Sequence, residues 1–150
     1  MPSITLNVLK STLKQNRINS EIVYWNIKLE PFYRALSKIF DEADYEFARL
    51  LPFIYSKARY YGDLAAQEKI QHVIARQAGI AFRNKEKKYS TASLSLMLKN
   101  TTSRIETFVR NTIRSTDFGG IMLCGFTAKF YQWLPGLLVA GEIKKNHPEI

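Results

Sequence analysis

Residues 120–127 read Gly120-Ile121-Met122-Leu123-Cys124-Gly125-Phe126-Thr127, and the predicted fold depends on this short segment. An apolar run of about six residues between glycines is typical of a strand buried on both faces, as in a parallel sheet. Apolar residues then recur at helical spacing up to Ile143, followed by two lysines and Pro148. This pattern predicts a helix that stops before the proline. A strand, a short polar turn and a helix form half of a doubly wound sheet unit, in which ligands bind at the turn.

A second strand is predicted at residues 21–27, Glu-Ile-Val-Tyr-Trp-Asn-Ile, because β-branched and aromatic residues dominate it. An amphipathic helix is predicted before it, capped by Ser3 and ending near Asn16. Its apolar positions share one face and its two lysines lie opposite. In a doubly wound sheet, such a helix normally follows another strand, and none is found here. We therefore expect a truncated sheet.

Residues 28–118 contain no convincing strand, and helices are predicted at 31–40, 45–61, 64–79 and 93–115. Pro52 marks a boundary or a kink in the second of these helices, and Asn100 a possible break in the last. Two architectures are compatible with this pattern: a helical subdomain inserted in a parallel sheet, or a helical bundle with two small strands. The fold class predicted is α/β, a single domain over 1–150 with a truncated doubly wound parallel sheet and a large, mainly helical insertion at 28–118.

Composition limits the classes of function. The 150 residues include 22 Lys+Arg and 13 Asp+Glu, so the formal net charge is +9, which suggests an anionic partner such as nucleic acid, acidic peptide or phosphate. Cys124 is the lone cysteine, which excludes an internal disulfide and any site with several cysteine ligands. No apolar run approaches the ~18 residues of a membrane span, and no apolar signal core is present at the N-terminus. We expect a cytoplasmic location and no membrane partner.

Two blocks of sequence resemble a known family. Residues 2–10 with 21–27, and residues 120–127 with 130–132 and 137–148, resemble the cobalamin-binding-like domain of radical SAM enzymes, closest to the subset that matures ribosomally synthesised peptides. The first and fourth strands of that domain, its lower-axial histidine motif and the three-cysteine cluster of a radical SAM core are missing. The resemblance implies an accessory, substrate-docking domain or fragment that performs no chemistry itself.

The resemblance also implies cofactors and partners. Cobalamin would be possible in the complete protein, whereas the iron–sulfur cluster and S-adenosylmethionine would belong to a missing C-terminal part, and none is expected in this chain alone. The partners would be the radical SAM catalytic domain and an acidic leader peptide. A sheet without its outer strands would also expose edges, through which a homodimer is possible. No catalytic residue and no metal ligand is predicted.

Four residues are candidates for cofactor binding: Gly125, Thr127, Gln132 and Asn26. In the family, a Ser or Thr at the turn after the third strand contacts the nucleotide tail of the cofactor, and Thr127 is its match. Gly125 would let the backbone approach the ligand, although it also suits tight strand–helix packing, and Thr127 also suits a helix cap. Gln132 is equally compatible with a surface amide. Asn26 lines the crevice or makes an Asx turn.

An alternative function needs no sheet. The chain would then be a stand-alone basic helical protein that binds nucleic acid. Aromatic and basic residues alternate from Tyr55 to Tyr61, a pattern compatible with stacking on single strands and equally with core rings flanked by solvated cations. A salt titration separates the alternatives, because phosphate contacts give a steep loss of affinity with rising salt.

Overall fold

The computed structural model describes residues 4–37, 49–60, 90–126 and 132–150, together with positions 69, 72, 73 and 76. Over these ranges the chain forms helices and no strand. The five helices that we label are α1 (Ile4–Gln15), α2 (Trp25–Ser37), α3 (Leu51–Tyr60), α4 (Thr91–Ser115) and α5 (Trp133–Asn146).

The predicted α/β fold, with its Rossmann-like doubly wound parallel sheet, is wrong. Residues 21–24 have no regular structure, and Trp25 begins α2. Leu29, Tyr33 and Leu36 follow at spacings of four and three and are all buried. The helix continues through Pro31, which lies inside α2 but is exposed and so is not part of this buried stripe. Burial of that stripe therefore outweighs the local β preference of residues 21–27.

The strand predicted within residues 120–127 is also absent, since residues 121–126 have no regular structure. Met122 is 89% exposed and Leu123 is 84% exposed, so the run is apolar without being buried. The amide of Ile121 donates to the carbonyl of Phe118, which closes a turn and not a sheet ladder. Of the two architectures considered from sequence, the helical bundle is closer to the structure, without its two strands.

Helix α4 lies at the centre of the core. It packs against α2, α3 and α5, and the buried side chains of its inner face recur at helical spacing: Leu94, Leu98, Ile105, Val109 and Ile113. Helix α5 adds four buried apolar residues: Leu134, Leu138, Val139 and Ile143. This apolar stripe fixes which side of α4 faces the core and leaves the opposite side to solvent.

Helix α4 is continuous over 25 residues, so the possible break near Asn100 does not occur. Ser90 caps its start, accepting a hydrogen bond from the amide of Ser93 at 3.1 Å. Thr102 is buried, and its hydroxyl lies 2.8 Å from the carbonyl oxygen of Leu98 and 3.1 Å from that of Pro52. A threonine that hydrogen-bonds one turn back is compatible with a helix interior, and here the same hydroxyl also contacts α3.

Helix α1 confirms the first predicted helix but contributes no buried residue. Val8 and Leu9 remain exposed. Just after the end of the helix, Arg17 has a φ of 61°, and the amide of Ile18 donates to the carbonyl of Leu13 at 2.9 Å. This is the Schellman arrangement, in which glycine is the usual residue at the left-handed position.

The predicted end of the last helix is confirmed. Lys144 and Lys145 occupy the final turn of α5, and the amide of His147 donates to the carbonyl of Ile143 at 2.7 Å. The His147 ring lies 4.5 Å from the Phe118 ring, centroid to centroid. The segment that leaves α4 therefore contacts the end of α5. Within the described ranges, no helix combines the length and the apolar character that a membrane crossing requires.

Candidate functional site

The solvent side of α4 carries four basic residues spread over most of its length: Lys99, Arg104, Arg110 and Arg114. Three are exposed, and the Arg110 side chain is 41% exposed. At 1.5 Å per residue, Lys99 and Arg114 lie about 22 Å apart along the helix axis. They face solvent because the apolar stripe occupies the opposite side. We call this surface the outer face of α4.

Between Lys99 and Arg114, the exposed uncharged residues of the outer face are hydroxyl and amide side chains. Four of them are exposed between the basic positions: Asn100, Ser103, Thr107 and Asn111. The sequence of α4 contains one acidic residue, Glu106, which accepts a hydrogen bond from the Ser56 hydroxyl at 2.7 Å. That carboxylate is thus directed to α3. The outer face consequently presents cations, hydroxyls and amides, the groups that contact phosphates in nucleic-acid complexes.

Arg110 has a second role at the edge of this face. Its Nε lies 4.0 Å from Oε2 of Glu142, whose side chain is 4% exposed on α5. The amide of the Asn146 side chain donates to the backbone carbonyl of Glu142 at 2.7 Å. A buried carboxylate is stabilised by a nearby cation, so Arg110 serves the contact between α4 and α5 as well as the outer face.

Beside the outer face, α2 and α4 meet along a line of partly buried rings. The Phe108 ring lies 6.4 Å from Trp25 and 5.0 Å from Phe32. Lys28 Nζ lies 5.5 Å from the centroid of the Trp25 ring, and Arg104 Cζ lies 5.6 Å from that of Phe32. We call these five residues the aromatic seam. Arg104 belongs both to the seam and to the outer face.

A shallow depression of about 330 Å³ adjoins the seam. Residues of α4 line it: Ser93, Leu96, Met97, Asn100, Thr101 and Arg104. It is open to solvent, and its lining combines two apolar side chains with two hydroxyls, one amide and one guanidinium. Arg104 is the residue that this depression, the seam and the outer face have in common.

The three cofactor-binding candidates that the structure describes are not placed around a sheet crevice. Asn26 is the second residue of α2, Gly125 lies in the exposed segment before α5, and Gln132 is the exposed residue at the start of α5. Thr127 lies outside the described residues. Around Gly125, a Cβ would meet nothing within 4 Å, so tight packing does not require glycine there. No hydrogen bond between the three described candidates is present.

The structure also bears on the lone cysteine and on metal binding. Cys124 is partly buried and packs against the hydrophobic core. The ranges that the structure describes contain no group of three or more His, Cys, Asp or Glu residues placed to hold a metal ion. In the pattern from Tyr55 to Tyr61, the charged side chains fall outside the described part of the chain.

Sequence reasoning missed the outer face of α4, although the signal was present. The basic residues of α4 avoid the positions taken by its apolar stripe, so a helical projection separates the two sets. The aromatic seam was harder to find, because it requires residues from two helices that are some seventy positions apart in the chain. Comparisons with known protein families, with curated proteins and with solved structures gave no match to this chain.

Proposed function

We propose that this chain is a basic helical module that binds nucleic acid through the outer face of α4. The observation that supports this proposal is the composition of that face, in which four basic residues alternate with hydroxyl and amide side chains. The one carboxylate in the sequence of this helix accepts a hydrogen bond from Ser56. The formal net charge of +9 adds long-range attraction for a polyanion. We place this binding in the cytoplasm, as the sequence analysis predicts.

The mode of binding follows from the residue types. Cations, hydroxyls and amides spaced along ~22 Å of helix match the repeating phosphates of a nucleic-acid backbone. Such contacts position the ligand without reading its sequence, so we propose binding with little sequence preference. An acidic peptide would satisfy the cations, but its carboxylates would leave the neighbouring partly exposed rings without a role.

The accessory-domain hypothesis loses the two strands on which the residue-by-residue resemblance was based. A doubly wound crevice beside Thr127 is no longer part of the proposal, nor is dimerisation through sheet edges, since the described residues form no sheet. Docking to a radical SAM catalytic domain or an acidic leader peptide remains a prediction without an observation in this structure that favours it.

The test is fluorescence anisotropy with a labelled 20-base-pair duplex of mixed sequence, titrated from 50 to 200 mM salt. The double variant Lys99→Gln/Arg114→Gln removes two outer-face charges, and counterion release predicts that its log–log salt slope is shallower by about 1.8. The same relation gives an affinity loss of roughly fifty-fold at about 0.1 M salt. The matched control is Lys144→Gln/Lys145→Gln, which removes two exposed charges from the end of α5.

We expect the control to change affinity less than about threefold, because those lysines lie in a last helical turn, where they compensate the negative end of the helix dipole. Equal losses in both variants would reject the outer face as the binding surface. Absence of duplex and single-strand binding at 50 mM salt would reject nucleic acid altogether. Displacement of the duplex by polyglutamate at equal charge concentration would instead indicate an acidic peptide ligand.

A further inference from the structure

The aromatic seam differs from the other ring pair of the core in its exposure. Tyr33 and Phe53 lie 6.2 Å apart and are both 2% exposed, so neither ring presents its surface to solvent. Trp25, Phe32 and Phe108 pack against the core but are only partly buried. Partly exposed rings present π surface to solvent, and here three of them converge at one junction between α2 and α4.

Two cations flank these rings. Lys28 and Arg104 are exposed, and each lies within 6 Å of a ring centroid, Lys28 at Trp25 and Arg104 at Phe32. At exposed sites such cation–π contacts are weak, whereas a nucleobase stacked on an aromatic ring contributes more. A base can therefore replace either cation over its ring. The displaced ammonium or guanidinium group then has the adjoining phosphate as a partner.

The form of the nucleic acid follows from this geometry. We infer that the ligand is single-stranded, with its phosphates along the outer face of α4 and unpaired bases stacked on the aromatic seam. Bases within a duplex are already stacked on one another and offer their edges, so they cannot use a ring face. Arg104 joins the two surfaces, since it lies on the outer face and over Phe32. This inference rests on the proposed function and adds the class of ligand.

Tryptophan fluorescence tests the stacking directly. The chain has two tryptophans, so Trp133→Phe leaves Trp25 as the single reporter, and Trp133 is 45% exposed on α5, where this change should be tolerated. We expect twenty-nucleotide oligothymidine to quench Trp25 and the 20-base-pair duplex to leave its emission unchanged. Quenching that is equal for the two ligands, or absent for both, would overturn the inference.

Affinity provides the second measurement. Trp25→Leu keeps an apolar side chain but removes the ring, and the loss of one stacked base predicts a roughly five- to hundredfold weaker affinity for oligothymidine. Trp133→Leu, the same change away from the seam, should leave that affinity unchanged. If Trp25→Leu does not fold, as judged by circular dichroism, the quenching of Trp25 in the Trp133→Phe protein still decides the question.

The two proposals fail in different ways. If the duplex and the single strand bind equally, Trp25 is not quenched, and the Lys99/Arg114 variant still weakens both ligands, then the single-strand inference is wrong and the outer face remains a nucleic-acid surface. If neither ligand binds at 50 mM salt, both proposals are wrong.

Discussion

The Thr102 hydroxyl offers a direct test of how α3 and α4 are held together. Thr102 is 3% exposed, and its Oγ1 lies 2.8 Å from the Leu98 carbonyl oxygen and 3.1 Å from the Pro52 carbonyl oxygen. Thr102→Val replaces the hydroxyl with a methyl group of similar shape. Helix propensity is nearly the same for the two residues, so the change isolates the hydrogen bond.

The expected loss of stability follows from the two hydrogen-bond partners of Thr102. Carbonyls inside a regular helix keep their backbone hydrogen bonds, so the variant loses the Thr102 contact without stranding a buried acceptor. We therefore expect a loss of about 1 kcal/mol in the free energy of unfolding, the usual net contribution of one intramolecular hydrogen bond. With an m-value of about 2 kcal/mol/M, the urea midpoint should fall by roughly 0.5 M.

Urea denaturation followed by circular dichroism at 222 nm measures this change. Thr107→Val is the matched control, because Thr107 lies on the same helix and is exposed. We expect its midpoint to move by less than half as much. A Thr102→Val protein as stable as the parent, or a control that loses equal stability, would refute the contribution of the hydroxyl to the contact between α3 and α4.

Two further stability predictions follow from the same structure. Val109 is 0% exposed, so Val109→Ala should lower the free energy of unfolding by about 2 kcal/mol, whereas Leu96→Ala, at a position 60% exposed, should change it by less than about 0.5 kcal/mol in the same urea assay. Arg17 has a φ of 61°, so Arg17→Gly relieves about 1 kcal/mol of backbone strain at the end of α1. The α1 amides should then exchange with deuterium several-fold more slowly, while Arg17→Ala, which keeps the strain, should give no such slowing.

The helices that sequence predicted well are those with a periodic apolar stripe. Helix α1, the apolar positions of α4 and the lysine-rich end of α5 were all evident from spacing and from the usual signals at helix ends. These signals involve only residues that are close together in the chain, and the structure agrees with them without any need for distant contacts. The continuity of α4 was less evident, because Thr102, next to the suspected break, has a hydrogen-bond partner in Pro52 that lies fifty residues away in the chain.

The two strand predictions were wrong for a different physical reason. Hydrophobic content predicts a buried strand only if a partner covers the segment, and sequence alone does not show the partner. Of residues 21–27, only 25–27 enter α2, whose apolar stripe runs from Trp25 to Leu36, while Met122 and Leu123 are exposed to solvent. The candidate residues Gly125, Gln132 and Asn26 were chosen for the crevice of that sheet, which the described residues do not form, and their role in binding stays a prediction. The composition of the outer face of α4 was predictable from sequence, but its exposure to solvent was not.

The exposed segment before α5 has a practical consequence for dissecting the molecule. Residues 121–126 lack regular structure, and Met122 and Leu123 are accessible, so we expect a protease with a preference for large apolar residues to cut the backbone there. The four buried apolar residues of α5 would still hold it against its neighbours after the cut. We therefore expect the two pieces to stay associated after the cut, in which case a synthetic α5 peptide would offer a route for introducing labels or unnatural side chains.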